Sequence, residues 1–433
     1  MNFYSMHRTG LVLLVFSLFF AKQVSANLTI EITKGTESAV PVAIVPFSWQ
    51  GPSARPPVDL AEIIKSDLSR SGYFKVLDER KMLSKPTQAA NVRFRNWQAL
   101  GQDYLVIGQV NDVRGRFKIS FQLFDVYKGE QLMGYQMTVM AHQLRRSAHH
   151  ISDKIYEKLT GIKGVFNSKI AYITSYKRDN GRHVYKLQVA DADGYNPKTI
   201  ISSREPIMSP AWSPDGKKIA YVSFEKKSSA IFIQTLANGK RTRVSDFKGI
   251  NGAPAWSPDG RKLAITLSKD GSPDIFVLNL ATRSLLKITK SYAIDTEPSW
   301  SPDGRHIVFT SDRGGKPQLY LVPSSGGRAK RLTFDGDYNA KGSFSKDGKR
   351  LTMVHANRGD YRIAVMDMST RTIDVLTQGP LDESPSFAPN GSMILYSSKK
   401  GRRGTLAAVS TDGSMQQRLA VARGDVREPA WSP

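Results

Sequence analysis

The chain has no cysteine among its 433 residues. That excludes thiolate nucleophiles, cysteine-bound zinc and disulfides, so the fold must rest on its cores alone, which a chain of this length can build. Histidine is scarce as well, with seven in all: His7, His142, His149, His150, His183, His306 and His355. His149 and His150 are adjacent on an expected helix and point to different faces, so they read as solvent-exposed or capping side chains and not as a metal pair. His306 and His355 fall at repeat positions occupied elsewhere by other residue types, which reads as packing or surface. No Gly-x-Ser-x-Gly occurs, so the strand-turn-helix that presents a hydrolase serine is missing. Acidic residues are outnumbered 38 to 62 by lysine and arginine, for a formal net charge of +24. The cations are scattered over turns and strand ends, as at Lys217-Lys218 and Arg402-Arg403. A nucleic-acid module would concentrate them on one face, so a solvated basic surface is the favoured reading.

Long apolar runs are limited to one. Leu11 to Ala21 follows a start carrying Arg8 and precedes the small residues Val24-Ser25-Ala26, the pattern of an export leader spanning residues 1–26. The run is too short to span a bilayer as a helix. The mature chain is therefore expected to begin near Asn27 and to be soluble outside the cytoplasm, without membrane insertion. The absence of cysteine fits a bacterial periplasm.

What is present in abundance is a repeat. Pro-Ala-Trp-Ser-Pro-Asp-Gly at Pro210 and at Pro254 is followed by Pro-Ser-Trp-Ser-Pro-Asp-Gly at Pro298, then by looser copies at Gly342 and Pro385 and a cut-short copy ending on Pro433. The aromatic anchors Trp212, Trp256, Trp300, Phe344, Phe387 and Trp431 stand 44, 44, 44, 43 and 44 residues apart. Each unit holds a Ser-Pro-Asp-Gly tight turn and room for four short strands, which is the signature of propeller blades. Ser168 to Ile173 matches the strand that follows Asp-Gly in the other units, yet no Trp-Ser-Pro precedes it. The final Trp431-Ser432-Pro433 supplies that missing half. The prediction is a six-bladed β-propeller over residues 165–433, closed by the C-terminus so that no free sheet edge remains.

Ahead of the ring, residues 40–162 read as a small mixed α/β domain. Strands are expected at residues 42–47, 74–77, 103–110, 116–125 and 132–139. Leu60, Ile63, Ile64 and Leu68 stripe one helix, and Leu144, Ala148, Ile151, Ile155 and Leu159 stripe a closing helix that stops at Gly161. Residues 27–39 form an N-terminal arm, where Leu28, Ile30 and Ile32 alternate with polar residues so that the arm can pair with a sheet edge.

The search for chemistry ends without a catalytic set, a cofactor site or a metal site. The repeated Asp215, Asp259, Asp303 and Asp347 sit in turns, where aspartate bonds its own backbone, and the repeated tryptophan reads as packing between blades. A propeller lyase or lactonase with a channel metal would need a histidine beside Glu297, Asp382 and Glu428, and none is near in the repeat. Variation concentrates in the segment before each Pro-x-Trp, at residues 207–209, 251–253, 295–297, 339–341, 382–384 and 426–428. Six variable loops at one place in the repeat should crowd one mouth of the ring and form a binding surface.

These features together resemble the TolB family of the Tol–Pal system of Gram-negative bacteria. Besides the repeats, the resemblance rests on Val45-Pro46-Phe47, the junction string Glu157-Lys158-Leu159-Thr160-Gly161-Ile162-Lys163-Gly164, Ile233-Gln234-Thr235-Leu236-Ala237-Asn238-Gly239 and Asn251-Gly252-Ala253-Pro254. It implies a non-enzymatic periplasmic adaptor that supports outer-membrane integrity and envelope constriction at division. The implied partners are the lipoprotein Pal at the propeller mouth, TolA at the arm, and bacteriocin translocation segments as further users of the mouth. Carried onto this sequence, the Pal contacts are Asn251, Gly252, Thr296, Glu297, Asp382 and Glu383. The TolA contacts are Asn27, Leu28, Thr29, Ile30, Glu31, Ile32 and Thr33. Ile250 departs from the family pattern, which implies a polar histidine there.

Overall fold

Short runs of β-branched and aromatic residues between tight turns leave the second half of the chain little choice but antiparallel sheet. The computed structural model describes residues 29–34, 39–178, 181–401, 403–420 and 424–433. The expected leader at residues 1–26 lies outside the described residues, as do Asn27 and Leu28. Six antiparallel sheets form the ring, five of four strands and the last with a fifth strand added at its outer edge. Blade 1 joins the C-terminal strand Asp425–Trp431, as its innermost strand, to Lys169–Lys177, His183–Asp191 and Lys198–Ser203. Blades 2 to 6 follow in chain order, the last built from Asp382–Phe387, Met393–Lys400, Arg403–Ser410 and Gln416–Ala420.

The repeated residues each have a structural task. In blades 2, 3, 4 and 5 the serine hydroxyl donates to the aspartate two residues on, at 2.5–2.6 Å, as from Ser213 to Asp215 and from Ser257 to Asp259. The same carboxylate accepts the backbone N–H two residues further along, and the serine oxygen accepts the N–H that opens the next strand. Bonding from serine, then from backbone, holds Asp215, Asp259 and Asp303 below the usual carboxylate range. The tryptophans do more than pack. The indole N–H of Trp212 donates to the carbonyl of Ala430 at 3.0 Å, that of Trp256 to Ala211 at 3.1 Å and that of Trp300 to Ala255 at 3.1 Å. Each bond ties a blade to the one before it. Trp256→Phe keeps an aromatic ring but removes this bond between blades, and should cost about 1 kcal/mol in urea unfolding.

The α/β domain is a mixed sheet in the order Phe74–Val76, Val40–Ile44, Tyr104–Val113, Arg116–Asp125 and Glu130–Met140, with Ser48–Gln50 beside the third of these. The first three run parallel and the last two antiparallel. Helices α1 (Leu60–Arg70) and α3 (Leu144–Thr160) cover one face. Their stripes meet Val42, Ile44, Ile119, Phe121 and Leu123 in one core. Asp59 caps α1 by accepting from the Glu62 N–H, and Gly161 ends α3 in the left-handed conformation at φ 72°. The other sheet face buries Ala43, Val45, Leu105 and Ile107 against Trp97 of the short helix α2 (Phe94–Ala99). Among the described residues no helix is long and apolar enough to cross a membrane.

The domains meet at one end of the ring. Asn390, in the inner turn of blade 6, donates to the Lys163 carbonyl at 2.7 Å, and Arg70 of α1 donates to the carbonyl of Ala192, in a turn of blade 1. Successive strands reverse direction, so these turns and the Ser-Pro-Asp-Gly turns share an end. The segments before Pro-x-Trp lie at the opposite end.

Candidate functional site: the propeller mouth

All six inner strands break register at the same point, between Met208 and Ala211, Gly252 and Ala255, Thr296 and Ser299, Ala340 and Ser343, Glu383 and Ser386, and Arg427 and Ala430. The residue at each break is left-handed without being glycine: Ser209 at φ 52°, Ala253 at 45°, Glu297 at 55°, Lys341 at 53°, Ser384 at 57° and Glu428 at 49°. This conformation costs an L-residue roughly 1–2 kcal/mol. Five of the six also precede proline, which itself disfavours helical backbone. Six strained residues thus line one ring around a channel of about 1220 Å³.

Polar side chains on this ring reach from blade to blade. Glu297 accepts from the Thr310 hydroxyl at 3.0 Å and from the backbone N–H of Lys341 at 3.1 Å. The Lys341 ammonium donates to Ser384 Oγ at 2.9 Å and lies 4.0 Å from Glu297. Glu428 accepts from the backbone N–H of Ser209 across the closing seam. Thr296 Oγ1 stands 3.4 Å from Thr266 Oγ1 of the preceding blade.

Residues expected at the mouth divide by accessibility. Gly252, Thr296 and Glu297 are partly exposed and Glu383 is exposed, whereas Asn251 and Asp382 are 0% and 1% exposed. Asn251 is used up internally: its amide donates to the Phe247 carbonyl at 2.7 Å while its oxygen accepts from Ser245 Oγ at 2.6 Å and from the Phe247 N–H at 2.9 Å. Asp295 and Asn339 occupy the same register position and are equally buried, Asp295 held by Ser311 and Arg313, Asn339 bonded to the Asp335 carbonyl. The side chains of Asn251, Asp295 and Asn339 are pins that shape the loops before blades 3 to 5, whereas Oδ1 of the buried Asp382 finds no hydrogen-bond partner among the described residues. Blades 1 and 2 have Val426 and Ile207 there instead, both buried.

What the loops present is apolar. Phe247 and Ile250 before blade 3, Tyr292 and Ile294 before blade 4, and Phe334 before blade 5 are exposed, Tyr292 completely and Phe334 by 70%. Isolated exposed apolar residues are ordinary, but five on three neighbouring loops make an arc suited to a protein partner. The sequence reading missed this arc, and it placed Lys341 only within a variable segment, without a role. The signal available was apolar residues inside otherwise polar connections.

The arm residues from Thr29 to Lys34 form a strand that pairs antiparallel with the outer strand of blade 6, Thr29 opposite Ala420 and Ile32 opposite Gln417. That makes blade 6 five-stranded. One expectation about histidine needs revision. His149 is buried, not exposed, because Asp67 of α1 lies 2.7 Å from its Nδ1. Among the described residues, His149, Asp191 and Asp193 are close enough to share an ion. Their carboxylates are already engaged: Arg145 pairs with Asp193, and Lys169 lies 2.9 Å from Asp191.

Comparison with known proteins bears on the whole chain. A family model described as the TolB amino-terminal domain matches residues 28–132, and one described as the TolB beta propeller domain matches residues 156–433. The chain is 62% identical to the Tol-Pal system protein TolB of Thioalkalivibrio sulfidiphilus over 94% of each chain. It is 61% identical to that of Nitrosococcus oceani over 98% of each. The crystal structure of TolB from Acinetobacter baumannii, 44% identical, superposes with a TM-score of 0.87 over 94% of this chain and all of that one.

Proposed function

The chain belongs to the TolB family, and from that membership we propose that it is a non-enzymatic periplasmic adaptor that holds Pal at the propeller mouth and TolA through its arm. Its role is then to couple the outer membrane to an inner-membrane complex, supporting envelope integrity and constriction at division. The observation that carries the reading is the mouth itself. Six strained positions, a polar ring and an exposed apolar arc gather at the end of the propeller away from the α/β domain. Strain of this kind is retained where a surface has a task beyond folding. Gly252, Thr296, Glu297 and Glu383 are the direct contacts in this reading, with Asn251 acting through the loop it pins and Asp382 buried beneath the mouth. Bacteriocin segments would compete for the same ring.

The arm supports the second contact. A strand added to a blade edge exchanges only one edge for another, so it can leave for a partner that offers a comparable edge. The arm is docked in one state and released to TolA in another. If Pal favours the docked state, Pal and TolA lower each other's affinity by the same factor.

Calorimetry with the soluble domains of Pal and TolA tests both halves. Glu297→Ala and Thr296→Ala should weaken Pal binding by about 1–2 kcal/mol each, with an unchanged circular dichroism spectrum. Deleting residues 27–38 should abolish TolA binding and leave Pal bound. Unaltered Pal affinity in both point variants would move the site off the mouth. Unaltered TolA affinity after the deletion would reject the arm.

A further inference from the structure

The rim of the mouth is not level. In blades 2, 3 and 4 the two middle strands end where the inner strand begins. Ser223 pairs with both Ile207 and Ala230, Leu267 with Asn251 and Asp274, and Ser311 with Asp295 and Gln318. In the other three blades the middle strands run on past the equivalent inner positions, Asn339, Asp382 and Val426. Blade 5 adds the pairs Ala356–Tyr361 and Asn357–Asp360, and blade 6 adds Lys399–Gly404 and Lys400–Arg403. Blade 1 adds Ser175–Tyr185, Tyr176–Val184 and Lys177–His183. At about 3.3 Å per residue, these hairpins stand roughly 7–10 Å above the rest of the rim.

The three hairpins are braced into one wall. The Tyr361 N–H of blade 5 donates to the Pro380 carbonyl at 3.3 Å, and the Lys399 N–H of blade 6 donates to the Leu381 carbonyl at 3.2 Å. On the far side of blade 6 the Gly404 N–H donates to the Asp425 carboxylate at 3.1 Å, and Asp425 pairs with Ser175 of blade 1. The fit at that seam is close, since a Cβ on Gly404 would stand 2.7 Å from the Val426 carbonyl oxygen.

What the wall presents is positive charge. Lys177, Arg178, Arg358, Lys399 and Arg403 are exposed, and none of them has an ion pair among the described residues. Its own carboxylates are taken, Asp360 by Arg362 at 2.9 Å and Asp425 by Arg427 at 3.7 Å. The low side of the rim is different. Lys269 of blade 3 lies 2.8 Å from Asp270, and in blade 4 Arg313 and Lys316 each lie 2.7 Å from a carboxylate, Asp295 and Asp337. The exposed apolar arc, from Phe247 to Phe334, borders this neutralised side.

The step in the rim selects the kind of partner. A flat anionic membrane would meet the tall wall first and leave the arc in water. A folded domain seated on the low side fills the step, with an apolar patch on the arc and one flank turned to the wall. Resting on the mouth reading above, we propose that the partner held there carries a cluster of carboxylates on that flank, and that the wall steers it into place. Unpaired charges at the rim of an interface act on association more than on dissociation, and salt screens them.

Stopped-flow mixing of the full mature protein with the soluble domain of Pal reads this out. Lys177→Glu, Lys399→Glu and Arg403→Glu combined should lower the association rate constant by at least about tenfold at about 0.01 M ionic strength, where the screening length is about 30 Å. The deficit should vanish toward about 1 M, where that length is about 3 Å. Dissociation should change by less than about threefold. Glutamine at the same three positions should give a smaller loss in the same direction, and stands in for the glutamate triple should that not fold. Lys240→Glu, Arg283→Glu and Lys330→Glu make the same change in net charge on exposed turns at the opposite end of the ring, and should keep most of the parent rate. An equal loss in that control overturns the wall, because net charge alone then explains the effect. Glu297→Ala should instead speed dissociation and leave the salt dependence in place. If the mouth variants weaken Pal binding while the wall triple associates at the parent rate, the wall alone is overturned. If neither set has an effect, the mouth reading falls and the wall with it. Parent Pal kinetics in the wall triple, together with lost sedimentation on phosphatidylglycerol vesicles, overturn the proposal in favour of a membrane surface.

Discussion

Removal of residues 429–433 is expected to open the ring and to lower the unfolding midpoint by roughly 10 °C, far more than five residues at a strand end would ordinarily cost. The segment carries half of the closing seam. Trp431 donates through its indole to Ser168 Oγ at 2.7 Å and through its backbone to Ser386 Oγ at 2.9 Å. The Ser432 N–H reaches the Lys169 carbonyl at 2.8 Å, while Ser432 Oγ accepts the Lys169 N–H at 2.9 Å. Ala430 supplies the carbonyl that Trp212 needs from the next blade. Loss of the tryptophan side chain alone costs about 3–5 kcal/mol, and the deletion also exposes the edge of Lys169–Lys177. Trp431→Ala should therefore account for most of the effect of the deletion. Calorimetric scans of the two variants test this; midpoints equal to the parent's would mean that the seam contributes nothing to stability.

Asp67→Ala should be nearly as damaging, at about 3–5 kcal/mol. The substitution removes the only carboxylate bonded to Arg70 among the described residues, where the guanidinium is 6% exposed, and takes from the His149 ring its partner at Nδ1. Uncompensated buried charge is the costly state, not the lost attraction. Asp78 provides the contrast, since its ion pair with Arg80 is in solvent. Asp78→Ala should leave urea unfolding unchanged while Asp67→Ala shifts the α/β domain's transition strongly. Similar curves for the two variants would show that burial does not set the cost here.

The architecture was written in the sequence because the repeat is redundant. Six copies of one anchor at a near-constant spacing fix blade count, turn chemistry and closure together. The stripes of α1 and α3 were legible for a related reason, since each helix shows one continuous apolar face. Helix α2 was not, because it offers a single buried anchor, Trp97, and no capping side chain. The mouth was legible as a place but not in detail. Asn251 and Asp382 are polar residues in variable segments, which from sequence reads as exposure. Register turns them inward, and only the folded geometry reveals it. Nor does any glycine mark the six left-handed positions, so the strain was invisible. His149 escaped because its partner Asp67 lies 82 residues away on another helix.

The seam also bears on how the protein can be made. Ser168 and Trp431, joined by a hydrogen bond, are 263 residues apart. Pairing so distant in sequence carries a large loop-closure cost and forms late. While the C-terminal strand is still being synthesised, blade 1 has only three strands, and the indole of Trp212 lacks its acceptor. The nascent chain therefore cannot complete its ring until the strand that shuts it becomes available.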